Sequence, residues 1–519
     1  MARLTDYTSY ADAQRHFTKA ALWELFDGTR DRFNIAHECV DRHVEGDRVA
    51  LRIAHADGRD EIISFAELSR RSAQIAHFLR ARGVEKGDRV AVMIDPSLPF
   101  YATLFGAMKA GAVAVPMFTL FGPDGIRLRV GDCDPQIFFT SADKAPEAEA
   151  GGARNVIVAD QAFLDGLNDL PDSFDWDSRG DDLAVLQYTS GTTRLLPAAV
   201  HHSHRSIVTL MVAALYATGI RPGDRFFCPS SPAWGHGLWH GTLAPLAMGV
   251  STGTFSGKFD AVRLLKALQD FRITNLTAAA THYRMMRNSG AAEHYSYCFD
   301  KLSFTGEPID SETAAYVERI FGTKVRSMYG TTEIGVIIAN YPGADDLEVR
   351  DGAMGKAVPG VEVEVQRDDG SRCDPGETGE LMVKKSGTWF PTKDLGRVDA
   401  DGYFYHGGRA DDVIISAGWT IGAVEVEDAV LSHPAVAECG VIGTPDSLRG
   451  QVVKAYIILK TEETPDLKQS IQDHVRARLA RHEYPRQIEF VTELPKTPAG
   501  KVNRKILRDQ QAAKLASAG

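Results

Sequence analysis

Residues 90–117, VAVMIDPSLPFYATLFGAMKAGAVAVPM, contain the pattern that decides the fold. The compact apolar run Val90–Ile94 predicts a buried strand, and Ala112–Met117 predicts a second one. The stretch between them, from about Pro99 to Lys109, predicts a helix. A strand, a helix and another strand in this order indicate parallel strands that are covered by helices. We therefore expect an α/β fold.

The same alternation extends to both sides of this stretch. Upstream, Ser64-Phe65-Ala66-Glu67 has the form of a capping box and predicts the start of an amphipathic helix. Downstream, further strands are predicted at Gln136–Thr140, Asn155–Ala159, Ala184–Tyr188 and Thr274–Ala279. From about Met354 to Val383, short alternating runs with Gly and Asp turns predict an antiparallel β subdomain. These patterns define a large N-terminal domain, residues 1–410, with mixed and parallel sheets covered by helices.

A new pattern begins near Asp411 and predicts a separate, small α+β domain over residues 411–519. Its predicted elements are, in order, a strand at Val413–Ile415, a helix at Ala423–Ser432, strands at Ala437–Gly443 and Val452–Leu459, a helix at Leu467–Leu479 and a strand at Gln487–Val491. The alanine-rich tail from Gln510 is predicted to be helical at first.

The bulk properties of the chain exclude several classes of function. A formal net charge of −11 argues against a nucleic-acid binder, which needs a basic face. The N-terminal sequence has no signal-peptide pattern, and no apolar stretch is long enough to span a membrane. Six widely spaced cysteines without a CxxC pair favour reduced thiols in the cytoplasm. We expect an enzyme that acts on small molecules, as a monomer or a homodimer.

A hydroxyl-rich loop follows the strand at Ala184–Tyr188. It reads Tyr188-Thr189-Ser190-Gly191-Thr192-Thr193, and such a loop can surround phosphate with backbone N–H groups and side-chain donors. It lacks the GxxxxGK[ST] pattern of a Walker loop, and in isolation it could be an ordinary polar loop. The stretch resembles the phosphate loop of the acyl-adenylate-forming superfamily, which includes acyl-CoA and aryl-CoA synthetases.

Three further stretches are similar to nucleotide-binding motifs of the same family. In Tyr329-Gly330-Thr331-Thr332-Glu333, the resemblance implies that Tyr329 stacks on adenine, that Thr332 meets the α-phosphate and that Glu333 holds Mg²⁺. The segment Gly306-Glu307-Pro308 resembles the loop on the adenine side. Near the predicted domain boundary, the resemblance implies that Asp394 accepts both ribose hydroxyls, that Arg409 contacts ribose or phosphate and that Asp411 is the hinge. A carboxylate suits a vicinal diol, and a guanidinium suits phosphate.

The last such stretch, Pro495–Lys505, matches the family's C-terminal signature and makes Lys501 the predicted catalytic lysine. An incoming carboxylate and the α-phosphate repel each other, so a positive group that bridges them favours the transition state. An ammonium on a mobile domain can do this and then withdraw. The resemblance therefore implies an ATP- and Mg²⁺-dependent ligase that forms an acyl-adenylate and passes the acyl group to coenzyme A, giving AMP and pyrophosphate.

The resemblance also implies residues for the other two substrates. For coenzyme A they are Gly418 and Trp419 in a tunnel loop, with Arg449 and Lys454 as candidate phosphate contacts. The acyl pocket is expected to involve Trp234, His236 and Gly237, although His236 could equally be a core histidine with satisfied nitrogens. These residues fit a small aromatic, alicyclic or short to medium aliphatic acid.

The chain departs from the family pattern directly after the phosphate loop. The usual Gly-x-Pro-Lys-Gly is replaced by residues 194–199, in which Arg194 could supply the missing positive charge to phosphate. Alternatively this loop binds ATP weakly, and the chain is a catalytically weakened acyl- or nucleotide-binding relative. A further alternative keeps adenylation but uses a carrier protein as the acceptor.

Overall fold

The structure is a computed structural model and describes residues 3–188, 199–331, 334–409, 414–416, 419–446, 450–479, 483–497 and 500–518. The helices are α1 (Tyr10–His16), α2 (Ile35–Cys39), α3 (Phe65–Ala81), α4 (Leu98–Lys109), α5 (Pro123–Cys133), α6 (Ala145–Ala150), α7 (Gln161–Asp165), α8 (Ser206–Tyr216), α9 (Ala244–Ala247), α10 (Ala261–Asp270), α11 (Ala280–Asn288), α12 (Ser311–Phe321), α13 (Ala423–Leu431), α14 (Leu467–Arg478) and α15 (Arg504–Ala518). A π-helical segment, His236–Leu243, precedes α9. Within these ranges, no helix combines the length and apolarity needed to cross a bilayer.

The strands are β1 (Val49–His55), β2 (Asp60–Ser64), β3 (Arg89–Met93), β4 (Val113–Pro116), β5 (Ile137–Thr140), β6 (Val156–Val158), β7 (Leu183–Tyr188), β8 (Ala199–Ser203), β9 (Arg225–Phe227), β10 (Ser251–Ser256), β11 (Asn275–Ala279), β12 (Lys301–Thr305), β13 (Val325–Thr331), β14 (Gly335–Ala339), β15 (Ala353–Ala357), β16 (Val363–Gln366), β17 (Thr378–Lys385), β18 (Thr388–Val398), β19 (Phe404–Arg409), β20 (Ile414–Ser416), β21 (Trp419–Ile421), β22 (Val436–Asp446), β23 (Gly450–Leu459) and β24 (Gln487–Phe490).

The stretch 90–117 forms the centre of a six-stranded sheet with the order β6-β5-β3-β4-β7-β8. Strands β3 and β4 are parallel neighbours, and α4 connects them. The pairing of β7 with β8 is antiparallel, so the sheet is mixed at this edge. Helix α4 is buried along its whole length, which explains why its sequence is apolar on every side.

A second sheet of 13 strands has the order β16-β17-β18-β19-β15-β14-β13-β12-β11-β9-β10-β1-β2. Its central strands β10, β9, β11, β12 and β13 are parallel, whereas β13 to β16 and their neighbours are antiparallel. The predicted antiparallel β subdomain is therefore continuous with the parallel sheet. The third sheet has the order β21-β20-β23-β22, with β24 parallel to β23. Together with helices α13 and α14, this sheet makes up the small α+β unit that the sequence predicted.

The predicted α/β class is confirmed, and two local predictions need correction. The serine half of the capping box is present, because Ser64 Oγ accepts a hydrogen bond from the Glu67 N–H at 3.1 Å. The Glu67 carboxylate, however, pairs with Arg70 and Arg71, which removes it from the helix end. The C-terminal helix begins earlier than predicted, at Arg504. The domain boundary at Asp411 stays a prediction, since residues 410–413 lie outside the described ranges.

Candidate active site

A cleft of about 2800 Å³ lies between the two large sheets and the C-terminal segment. Strand ends deliver polar side chains to it, which is the usual place for a ligand site in an open α/β sheet. Many of the predicted site residues line this cleft: Trp234, His236, Gly306, Glu307, Pro308, Tyr329, Gly330, Thr331, Asp394 and Lys501.

Asp394 and Tyr329 form a hydrogen-bonded pair on one wall of the cleft. The Tyr329 hydroxyl donates to Asp394 Oδ2 at 2.6 Å, and His406 Nε2 lies 3.8 Å from the same oxygen. The Asp394 backbone N–H donates to Thr392 Oγ1. Asp394 is only 6% exposed. The carboxylate is thus held in one orientation, while the Tyr329 ring lies beside it as a flat apolar surface. In the β18–β19 register, Asp394 lies opposite Arg409.

The strand that carries Tyr329 bends sharply at the next residue. The β13–β14 register shifts between Tyr329 and Gly330, and a Cβ at Gly330 would lie 2.0 Å from the Gly335 carbonyl oxygen. Glycine is therefore required by the close approach of the two backbones. The bend places Thr331 at the cleft, where its buried hydroxyl has no hydrogen-bond partner among the described residues. An unsatisfied hydroxyl in this position suits a ligand that brings acceptor oxygens.

The loop after β12 contains the predicted adenine-side residues. Gly306 has a φ of +101°, which favours glycine. The Glu307 carboxylate pairs with Arg284 of α11, and Arg284 also lies 3.9 Å from Asp310. This ion pair fixes the loop, so the backbone of residues 306–308 presents a firm edge to the cleft.

Lys501 reaches this loop from the C-terminal segment. Its backbone belongs to a tight turn in which Thr497 N–H donates to the Lys501 carbonyl at 2.7 Å and Gly500 has a φ of +82°. A Cβ placed on Gly306 would lie 3.4 Å from Lys501 Cε and 3.6 Å from Trp234 Cη2. The ammonium-bearing side chain therefore lies where the adenine-side loop and the predicted acyl pocket meet.

The predicted acyl-pocket residues separate into two groups. Trp234 and His236 line the cleft, with ring centroids 5.3 Å apart. His236 is buried, and both of its nitrogens have partners, Ser230 Oγ at 3.0 Å and Thr277 Oγ1 at 3.1 Å. Burial, with a smaller contribution from the nearby charges of His240, His282 and Lys501, holds the pKa of His236 well below its usual value. His236 is thus a neutral wall residue whose ring nitrogens are already used.

Gly237 is not among the residues that line the cleft. A Cβ at this position would lie 2.1 Å from the Ser231 carbonyl oxygen and 2.4 Å from that of Ser230. The glycine is thus required for close backbone packing and lies behind the pocket wall.

The candidate coenzyme A contacts are only partly described. Lys454 is 7% exposed, and its ammonium lies 2.8 Å from both Glu489 Oε2 and Gln511 Oε1. Burial in this network accounts for its position, and a phosphate contact would require the network to open. Gly418 and Arg449 lie outside the described residues, as does the side chain of Trp419.

Other predicted nucleotide-binding residues also lie outside the described ranges. They are Thr189, Ser190, Gly191, Thr192, Thr193, Arg194, Thr332, Glu333 and Asp411, together with the side chain of Arg409. Among the residues that are described, no group of three His, Cys, Asp or Glu could hold a metal ion. Mg²⁺ needs only one or two protein carboxylates when phosphate oxygens complete its shell. The predicted ligand Glu333 and the unsatisfied Thr331 hydroxyl two positions before it are compatible with such a site.

Three cleft residues were not found by the sequence analysis. Gln187 of β7, His202 of β8 and His240 of the π-helical segment also line the cleft. The only signal in the sequence was the polar pair His201-His202 shortly after the phosphate loop.

Comparisons with known proteins define the family. The family model described as "AMP-binding enzyme" matches residues 40–389, and the model "AMP-binding enzyme C-terminal domain" matches residues 425–501. The chain therefore belongs to the AMP-binding enzyme family.

Full-length relatives show the same similarity. The acetyl-coenzyme A synthetase of Bacillus subtilis is 31% identical, over 96% of this chain and 94% of its own length. Among solved structures, the acyl-CoA synthetase of Brucella canis is 31% identical with a TM-score of 0.76, covering 98% of this chain and 99% of its own. The anthranilate CoA ligase AuaEII in complex with anthranoyl-AMP is 28% identical with a TM-score of 0.85, covering 95% of this chain and 99% of its own.

These findings confirm the predicted superfamily, the α/β fold and the reaction class. The chain is an enzyme of the acyl-CoA synthetase branch, with ATP, a carboxylate and coenzyme A as its substrates. The alternatives of a carrier-protein acceptor or a weakened relative are not better supported.

Proposed function

We propose that this cleft performs both half-reactions on a small carboxylic acid, with Lys501 as the catalytic lysine of the first. The observation that carries the proposal is that Lys501, from the C-terminal segment, meets the Gly306 loop and Trp234 in the cleft that also contains Asp394 and Tyr329. These residues come from segments that are far apart in the chain, yet they line one cavity, and Lys501 adds a cation beside the Gly306 loop.

In the first half-reaction, a carboxylate oxygen attacks the α-phosphorus and pyrophosphate leaves. Lys501 lies between the acyl side and the nucleotide side, where its ammonium reduces the repulsion between the two anions. We assign the ribose hydroxyls to Asp394 and the adenine ring to Tyr329. Glu333 is the predicted residue that would hold Mg²⁺ with ATP, and the metal would supply charge neutralisation for the departing pyrophosphate.

In the second half-reaction, the thiol of coenzyme A attacks the acyl carbonyl carbon, the bond to AMP breaks and the thiol proton passes to solvent. AMP is a much better leaving group than hydroxide, which is the reason for the two steps. Gly418, Trp419 and Arg449 stay the predicted contacts of coenzyme A. We further propose a cytoplasmic enzyme, because five of the six cysteines are buried free thiols.

Replacement of the lysine tests this assignment. Lys501→Ala should lower acid-dependent exchange of pyrophosphate into ATP by about 100-fold or more, the loss typical of removing one transition-state donor. Thiolysis of a synthetic acyl-adenylate by coenzyme A should stay within about threefold of wild type, because no anion must then approach the α-phosphate. Both rates are measured with benzoate, anthranilate, hexanoate and acetate as acids.

The matched control is Lys460→Ala, which removes an exposed lysine at the end of β23. It should change neither half-reaction. Equal losses in both half-reactions for Lys501→Ala would contradict the assigned role. Thioester formation on a phosphopantetheine carrier but not on coenzyme A would contradict the acceptor.

A further inference from the structure

Three polar groups without partners line the cleft, and one of them belongs to Gln187, whose Oε1 would lie 3.4 Å from a Cβ at Gly235, the residue after Trp234 in the predicted acyl pocket. Gln187 Nε2, His202 Nε2 and His240 Nδ1 are buried atoms, and none has a hydrogen-bond partner within the described part of the chain. Folded proteins rarely leave such groups unpaired, because each has lost its hydrogen bonds to water. All three residues line the same cleft as Trp234 and Lys501.

The sheet register explains why Gln187 and His202 are neighbours. His202 of β8 pairs with Val185 of β7, and Gln187 lies two residues further along β7. Residues two apart on a strand share a face, so Gln187 and His202 are diagonal neighbours on one face of the sheet.

The π-helical segment brings the third group. Trp239 packs on His202 with ring centroids 4.5 Å apart, and its indole N–H donates to Gln187 Oε1 at 3.0 Å. His240 is the next residue, and its ring lies 5.9 Å from that of His236. Wide π-helical turns are frequent at functional sites, and this one directs two consecutive aromatic residues to the cleft.

The indole contact also fixes the chemistry that Gln187 offers. An indole nitrogen can only donate, so the amide atom facing it must be the oxygen. The other amide atom is then the NH₂ group, and its two N–H donors need an acceptor. Burial lowers the pKa values of His202 and His240 to about 4 each, with a smaller contribution to His202 from His201. Both rings are therefore neutral at pH 7 and provide hydrogen bonds without charge.

We propose that this end of the cleft, formed by Gln187, His202 and His240, selects carboxylic acids with a neutral oxygen substituent, a hydroxyl or carbonyl group, remote from the carboxylate. The inference rests on the proposed function, because the reacting carboxylate must lie near Lys501 for its substituent to reach these residues. A second carboxylate would meet no cation among the three groups. A purely apolar acid would leave the amide donors of Gln187 unpaired.

The test compares acids that differ only at the remote position. Hydroxyl-bearing acids are paired with their methyl isosteres, for example 4-hydroxybenzoate with 4-methylbenzoate and 6-hydroxyhexanoate with heptanoate, and terephthalate supplies the second charge. The measurement is kcat/KM for acid-dependent pyrophosphate exchange. The wild-type enzyme should prefer at least one hydroxyl-bearing acid over its isostere by about tenfold or more and should disfavour the dicarboxylate.

Two variants connect that preference to these residues. Gln187→Met and His202→Leu should each lower the ratio of kcat/KM for the hydroxyl acid to kcat/KM for its methyl isostere to about threefold or less. The change should come mainly from a lower kcat/KM for the hydroxyl acid. His201→Leu, at the exposed neighbouring histidine, should leave the ratio unchanged. Thermal unfolding shows whether each variant is folded, so that a loss of activity through misfolding is recognised. The ratio of kcat/KM for the two acids is compared only among folded variants.

The outcomes separate this inference from the proposed function. Three results would overturn the inference while adenylation itself stands. They are equal kcat/KM for the two acids of each pair in the wild-type enzyme, a preference for the dicarboxylate, and a ratio that neither variant changes. If no acid of any class supported pyrophosphate exchange, the proposed function would fail together with it.

Discussion

At the scale of single residues, the hydrogen bond from Tyr329 to Asp394 joins the two residues to which we assign the adenosine of ATP. It occupies Oδ2 and orients the carboxylate at the cleft wall. Tyr329→Phe keeps the ring but removes this bond, so KM for ATP should rise about fivefold with little change in kcat, as expected for one neutral-donor hydrogen bond. The measurement is pyrophosphate exchange at varied ATP concentration.

Asp394→Ala should raise KM for ATP more than Tyr329→Phe does, because the ribose diol then loses a charged hydrogen-bond acceptor. The sharper measurement is the ratio of kcat/KM for ATP to that for 2′-deoxy-ATP, which should fall towards one in Asp394→Ala. Tyr297→Phe is the control, since its hydroxyl donates to the Ala292 carbonyl. If the ratio for ATP over 2′-deoxy-ATP is unchanged in Asp394→Ala, another group binds the ribose hydroxyls.

Residues within contiguous motifs were predictable, whereas residues assembled by long-range packing were not. Asp394 and Lys501 lie in short signatures, and the structure places both at the cleft. The positions of Gln187 and His202 depend on the β7–β8 register, which no local pattern specifies. Lys454 was predicted as a candidate phosphate contact, and its burial depends on the packing of α15 and β24 against β23.

At the scale of elements, helix α13 packs an acidic residue against the N-terminal part of the chain. Asp428 lines the cleft and stays accessible to solvent, but the crowding of the cleft wall and the carboxylates of Asp310 and Glu427 raise the pKa of Asp428 from its usual 3.8 to about 7, and Arg284 only partly opposes this. The folded protein thus binds this proton more tightly than the unfolded chain. The ionised carboxylate therefore destabilises the fold increasingly as pH rises from about 4 to about 7, above which the penalty is constant.

Asp428→Asn removes this ionisation. The variant should match wild type near pH 4 and become modestly more stable as the pH rises, by at most ~1 kcal/mol above pH 7, because solvent screens an accessible carboxylate. Thermal unfolding midpoints between pH 4 and 9 provide the measurement. Glu462→Gln, at an exposed carboxylate, should give no such trend. A constant difference between Asp428→Asn and wild type across that pH range would mean that Asp428 does not titrate in it.

The elements themselves were predictable where a strand or helix had its own pattern. The predicted strand at Gln136–Thr140 is observed at Ile137–Thr140, and the predicted helix at Ala423–Ser432 is observed at Ala423–Leu431. The order of the strands was not predictable, because it depends on contacts between segments that are distant in sequence. The short strand Trp419–Ile421 was missed for the same reason, since its pairing with β20 defines it.

At the scale of the whole molecule, the C-terminal segment must move if one cleft is to perform both half-reactions. Lys501 lies beside Gly306, while the predicted tunnel residue Gly418 is distant from Lys501 in the sequence of the same segment. A cross-link that holds Lys501 in place should therefore permit adenylation and block thioester formation. A Cβ at Gly500 would lie 3.6 Å from Thr281 Oγ1 and 3.9 Å from its Cγ2, so cysteines at these two positions would have their side chains in contact.

The double variant Thr281→Cys with Gly500→Cys, made in a Cys298→Ser background to remove the exposed native thiol, tests this expectation. After oxidation, quenched-flow measurements should show about one equivalent of acyl-adenylate per enzyme, with thioester formation at least about tenfold slower than in the reduced enzyme. Reduction should restore it. The Gly500→Cys single variant reports the cost of a side chain at a φ of +82°. In the fully cross-linked enzyme, the disulfide holds the C-terminal segment against α11 throughout. If this oxidised enzyme forms thioester as fast as the dithiol form does, the thiol of coenzyme A reaches the adenylate without rearrangement.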